Sequence, residues 1–156
     1  MITLLWAQTP TGVIGINNTL PWNIKAEMQH FVAYTRGKAV LMGRKTWESI
    51  PNKPLKGRMN YVVSRQQLDL TAYPDTFLIN DVPSFLANWD EKQELVVIGG
   101  LHLYNSTISA ANRLVISIIK EEYVGDTVMC DIPFQNFKEI SSEEFAEFKV
   151  ITYERI

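Results

Sequence analysis

The 156-residue chain carries 15 Lys and Arg against 17 Asp and Glu, a formal net charge of −2, and is 46% hydrophobic and 21% charged. This is the composition of an ordinary globular domain, and it gives no electrostatic footprint for nucleic acid or an anionic membrane. The lone Cys130 excludes an intrachain disulfide, and no stretch approaches the ~20 apolar residues that span a bilayer. MITLLWAQTP has no basic region and only a short apolar run, so a cytoplasmic address is expected, with no membrane, nucleic-acid or metal partner. No repeat, low-complexity tract or linker divides the chain, so a single domain over 1–156 is expected.

ITLLWAQ at 2–8 reads as the first strand. The following segment, TPTGVIGINNTLPW, sets turn formers Gly12, Gly15, Asn17 and Asn18 among Val13, Ile14, Ile16 and Leu20, apolar residues with no evident strand partner. It is either a plain connector or a lid that excludes water from a ligand. A helix is predicted over 24–35, with Pro21 barring an earlier start and Asn23 as N-cap. At 100° per residue Ile24, Met28, Phe31, Val32 and Thr35 share one side, and Glu27 falls on the flank of that stripe. Two readings stand for Glu27: a first-turn acid complementing the helix dipole, or a carboxyl group held in an apolar cleft with its pKa raised by burial.

The next strand, at 38–43, runs into VLMGRKTWESIPNKPLKGR at 40–58. Gly43, Arg44, Lys45 and Thr46 stand at the start of a short helix near 44–49, where backbone N–H groups and two cations suit an anion. The strand at 59–64 ends in Ser64 and Arg65, which an adjacent parallel strand end brings to the same edge. Pro51, Pro54 and Gly57 stiffen a turn that delivers Arg58, a residue type suited to bidentate carboxylate binding. A strand at 76–80 and a helix at 83–89 follow, then a strand at 94–99 that meets Gly99-Gly100 and a helix at 101–108. The paired glycines permit close backbone approach, but the full GxGxxG fingerprint is missing. A strand at 113–119 precedes an alternating tail, 137–143 and 147–156, which reads as an antiparallel hairpin. The sum is an α/β fold: a central eight-stranded, mainly parallel sheet closed by an antiparallel C-terminal strand and flanked by about four helices.

LLWAQ, GVIG, LPWN, MGRKTWESIP, PLKGR, NYVVS, VVIGGLHLY and VGDT at 124–127 occur in an order and spacing that closely resemble dihydrofolate reductase of the bacterial chromosomal type. The resemblance covers essentially the whole chain. It implies NADPH-dependent reduction of 7,8-dihydrofolate to tetrahydrofolate in support of one-carbon metabolism, a monomer, and a pocket open to antifolate inhibitors. It implies that Glu27 is the acid of the pterin pocket, that Trp22 orders water beside it and that the hydroxyl of Ser117 supports it. Leu5, Trp6, Ala7, Met28, Phe31 and Ile50 would line the pterin and benzoyl pocket, with Leu55 near the benzoyl ring and Arg58 on the glutamate-tail carboxylate. Ala7, Ile14 and Ile98 would contact the nicotinamide, and Gly15 and Leu20 of the lid would close over the cofactor. Gly43, Arg44, Lys45 and Thr46 would hold the cofactor phosphates, with Ser64 and Arg65 near the 2′-phosphate. Gly99 and Gly100, joined in that family by a cis peptide, would approach the cofactor together with Leu101 and Tyr104. The chain departs from the bacterial pattern at Glu27 (usually aspartate), Trp6 (often small), Leu101 (usually small), Ser117 (usually threonine) and Met129-Cys130 (usually aromatic-proline). Two competitors are a same-fold reductase of the riboflavin pathway, which lacks LPWN and PLKGR, and a binding module that has lost turnover.

Overall fold

A computed structural model describes residues 1–156. Its strands are β1 (Ile2–Gln8), β2 (Val13–Gly15), β3 (Ala39–Gly43), β4 (Met59–Val63), β5 (Thr76–Ile79), β6 (Leu95–Val97), β7 (Arg113–Ile119), β8 (Thr127–Val128), β9 (Phe137–Glu144) and β10 (Phe148–Arg155). Its helices are α1 (Lys25–Thr35), α2 (Arg44–Ser49), α3 (Val82–Ala87) and α4 (Leu101–Thr107), the last continued by a 3-10 turn at Ile108–Ala110. Eight strands form one sheet in the order β5-β4-β3-β6-β1-β7-β10-β9. The pairs from β5 through β7 are parallel, whereas β10 runs antiparallel to both β7 and β9. The expected fold class is present, including the closing hairpin.

The near-continuous apolar strands have the reason expected of them, since both faces of the sheet are covered. Leu41 lies in one core with Leu4, Val97, Leu114 and Ile116, while its neighbours Val40 and Met42 lie in the other with Leu5, Val96 and Val115. Side chains alternate across a strand, so a run of consecutive apolar residues feeds two cores at once.

Two short strands were not anticipated. Val13–Gly15 pairs antiparallel with Thr127–Val128, giving the apolar segment after β1 the strand partner that the sequence did not reveal. The N-cap expected at Asn23 is instead Ile24, which makes no side-chain cap bond. Ile24 is buried in a core while Asn23 is exposed, so packing places the helix start rather than capping. The stripe on α1 is also differently used: Met28 is 50% exposed and Glu27 only 8%. That face of the helix looks onto a cleft, not into the core.

Candidate active site

The C-terminal ends of the parallel strands open onto one edge, as in other open α/β sheets. There β1 delivers Trp6 and Ala7, β3 leads into α2, β4 ends before Ser64, and β6 leads to Gly99-Gly100. Together with α1 and the segment after β1 they enclose a cleft of about 1630 Å³. A pocket for one drug-sized ligand occupies roughly 300–1,000 Å³, so this cleft has room for two ligands side by side.

α1 supplies Glu27, Met28 and Phe31 to the cleft, and the turn after α2 supplies Ile50 and Leu55. Leu5, Trp6, Ala7 and Trp22 lie between these and the lid residues Ile14, Gly15 and Leu20. Gly43, Arg44, Lys45, Thr46, Ser64 and Arg65 line the part nearest α2 and β4. Ile98, Gly99, Gly100, Leu101 and Tyr104 line the part beneath α4. Twenty-three of the residues singled out in the sequence thus share one cavity; Ser117 and Arg58 do not line it.

Glu27 is the cleft's one buried carboxyl group, because Asp81, which also lines it, is exposed. No cation pairs with Glu27, and burial pushes its pKa above the usual 4.5. The Trp22 indole N–H pulls in the other direction, yet Nε1 reaches no acceptor within hydrogen-bonding geometry. Tyr104 donates its hydroxyl to the Leu5 carbonyl at 2.7 Å, and burial followed by the Glu27 charge pushes its pKa upward. Ser117 is buried in β7 beside Ala7 in register, and its hydroxyl makes no hydrogen bond to Glu27. The support expected from it is not made here.

The glycines form a cradle that side chains would fill. Gly99 and Gly100 are joined by a cis peptide, and the Gly99 carbonyl accepts from the Gly43 N–H at 2.8 Å. With φ +122, Gly99 has a backbone that L side chains rarely adopt, and an added Cβ would sit 3.3 Å from the Tyr104 hydroxyl. Lys45 and Arg65 are exposed, with no carboxylate within ion-pairing distance, whereas Arg44 pairs with Glu48 at 3.4 Å and donates to Gln66 Oε1 at 2.5 Å. The open cations beside a glycine cradle fit an elongated, multiply anionic ligand.

Arg58 is nine-tenths buried, its Nε has no acceptor, and burial followed by neighbouring Arg36 lowers its pKa. It flanks a second pocket of about 440 Å³, with Gly37 and Lys38. Its turn is braced by Asn60, whose side chain accepts from Leu55 N–H at 3.0 Å and donates to the Leu55 and Arg58 carbonyls at 2.9 and 3.0 Å. Sequence reasoning missed Asn60, although a polar residue inside the apolar strand MNYVV was a visible signal. It also missed His30, which lines the cleft one turn beyond Glu27 and could have been found from helical spacing.

The segment after β1 that lines this cleft is tied to the loop before β8 by several polar contacts. Asp126 N–H donates to the Gly15 carbonyl at 3.1 Å, and Asn17 N–H donates to Asp126 Oδ2 at 2.9 Å. Glu122 accepts from the Thr11 N–H and hydroxyl at 3.0 and 2.6 Å.

The family model described as "Dihydrofolate reductase" matches residues 1–155. The chain is 37% identical to the "Dihydrofolate reductase" of Mycoplasma genitalium, over 99% of this chain and 98% of that protein. It is 34% identical to that of Ureaplasma parvum, over 98% and 96% of the two chains. Against the Neisseria meningitidis protein of the same description the identity is 38%, over 92% and 87%. In fold it is similar to the dihydrofolate reductase of Enterococcus faecalis, solved in complex with NADP(H) and RAB-propyl, with a TM-score of 0.90. That likeness covers 99% of this chain and 96% of that one at 24% identity.

Proposed function

Because the chain belongs to the dihydrofolate reductase family, we propose that it reduces 7,8-dihydrofolate to 5,6,7,8-tetrahydrofolate with NADPH, by hydride transfer to C6 and protonation at N5. The observation that carries this reading is Glu27, a buried carboxyl group without a cationic partner in an otherwise apolar part of a two-ligand cleft. Its carboxyl accepts hydrogen bonds from the pterin amino group and ring N–H, an arrangement that fixes the ring with C6 toward the glycine side of the cleft. A proton is needed at N5, because hydride addition to a neutral imine builds negative charge on nitrogen. Trp22, whose indole N–H is unmet, and Glu27 hold a water between them as the path for that proton. Exclusion of bulk water by the lid strengthens this field.

The residues present fit a phosphorylated dinucleotide. Lys45 and Arg65 are free to meet its phosphates, Thr46 and Ser64 offer hydroxyls, and Gly99-Gly100 lets the backbone approach closely. NADPH bound there supplies the hydride. Arg58 stands outside the cleft lining, on the turn that carries Leu55 into it, and in this reading that turn brings the guanidinium to the substrate's tail carboxylate, a role suited to a buried cation whose Nε has no acceptor. The enzyme acts as a monomer in the cytoplasm, and antifolate inhibitors that mimic the pterin occupy the Glu27 end of the cleft.

The test is direct: NADPH absorbance is followed on adding dihydrofolate. Steady loss is expected; binding of both ligands without loss would mark a module that has given up turnover.

A further inference from the structure

The loop that runs from Lys120 to Thr127 grips the lid at its start, crest and end. Glu122 holds Thr11 at the start, and Asp126 holds Gly15 and Asn17 at the crest. At the end, where the lid gives way to α1, the Tyr123 ring meets Trp22 edge-on, with centroids 6.0 Å apart and planes at 61°. Tyr123 is itself anchored, its N–H donating to Glu122 Oε2 at 3.0 Å. The ring is held separately, its hydroxyl donating to Glu121 Oε2 at 3.3 Å.

Trp22 is 5% exposed and lines the cleft, yet its Nε1 has no acceptor. A buried indole without a hydrogen bond has no polar contact to fix its rotation, so its orientation rests on its packing. Tyr123 is the one aromatic ring paired with it, and Tyr123 lies outside the cleft lining. We infer that Tyr123 is a positioning residue: its ring, edge-on to Trp22, fixes how the buried indole stands in the cleft that it shares with Glu27. The inference rests on Glu27 being the pterin-facing acid.

The groups that bear on Glu27 are Trp22 and the Tyr104 phenol of α4, while His30, one turn along α1, lines the same cleft and faces Glu143 of β9. Around Tyr123 stand Glu121, Glu122 and Glu147. Replacing Tyr123 leaves all of these charges in place, so a changed titration of Glu27 would trace to Trp22. Because the indole N–H favours the charged form, loosening it leaves Glu27 protonated to higher pH.

The experiment compares Tyr123→Phe and Tyr123→Ala with the parent chain in single-turnover hydride transfer from NADPH to dihydrofolate, from about pH 5 to pH 9. The alanine variant is expected to lose roughly tenfold in rate at neutral pH. Its falling limb should move upward by roughly half a pH unit. The phenylalanine variant gives up only the exposed 3.3 Å hydroxyl bond to Glu121 and keeps the ring edge on Trp22, so it should keep the parent limb. If the alanine variant does not fold, Tyr123→Leu fills the volume without an aromatic edge and should shift the limb in the same direction. An unmoved limb in the alanine or leucine variant, whatever its rate or Tm, overturns the inference. A parent chain that never oxidises NADPH would instead sink the functional reading. In that event ¹³C-NMR titration of the Glu27 carboxyl decides the matter without turnover: a raised midpoint in the variant supports the role of Tyr123, and an unchanged one refutes it.

Discussion

Two glutamates with opposite surroundings show how side-chain environment separates function from stability. Burial alone would raise the pKa of Glu94, but hydrogen bonds from Tyr34 and Thr3 and the Lys38 ammonium at 3.0 Å outweigh it and hold the carboxyl below 4.5. Its contribution to stability is present above the unfolded value and lost as pH falls through the folded one. Glu94→Ala should therefore cost roughly 1–2 kcal/mol at pH 7, and thermal melts should show the deficit closing in acid. Glu27 has the reverse sign. Between 4.5 and its raised folded value the native state binds more protons than the unfolded chain, so stability falls as pH rises through that window. Glu27→Gln should then melt higher than the parent at neutral pH while losing roughly 10²–10⁴-fold in activity, a loss that shrinks in acid as the substrate protonates directly. Equal activity across pH would remove Glu27 from the mechanism. Arg58 is a second buried charge without a partner. Arg58→Leu should raise KM for dihydrofolate by the equivalent of about 2–5 kcal/mol, with Tm unchanged or higher and a tail-less pterin indifferent. The sequence placed Glu27 on the flank of the helix stripe but could not distinguish a surface charge from a buried one, because spacing gives a direction and not an environment.

Among the elements, long ones were legible and short ones were not. All eight sheet strands could be read because five or more apolar or alternating residues, or a bounded run, leave a pattern. β2 and β8, at three and two residues, leave none, and their pairing spans more than a hundred positions of sequence. The consequence lies at Gly125. A Cβ there would collide with the Gly15 carbonyl and with Val13 Cγ1, contacts that require the lid strand itself to shift. Gly125→Ala should slow turnover several-fold or more while leaving the melting temperature within a few degrees, because the displaced ribbon lies outside the main sheet. Hydrogen exchange at Gly15 and Asp126 would report the displacement, and protection equal to the parent would show that the lid absorbs the methyl group. Likewise the start of α1 was misjudged by one residue, since a capping rule was weighed without the burial of Ile24 that overrode it.

For the molecule as a whole, charge is distributed against the net balance. A chain of formal charge −2 presents Lys45 and Arg65, without ion-pair partners, on one wall of its cleft. A ligand carrying a 2′-phosphate gains from that local field and one lacking it does not, so kcat/KM with NADPH should exceed that with NADH by at least about tenfold. Exposed charges are screened beyond roughly 8–10 Å at physiological salt. The preference should therefore narrow as ionic strength rises; parity at low salt would dissociate both residues from cofactor choice.

The strand order has a bearing on how the chain comes off the ribosome. β1, made first, lies between β6 and β7, whose residues begin at 95 and 113. The earliest segment must wait for most of the polypeptide before it finds either neighbour, and such non-local pairing is slow to form. Until β10 docks, β7 remains an open apolar edge able to recruit another chain. Synthesis that stalls short of residue 148 should thus yield aggregates rather than a smaller soluble protein.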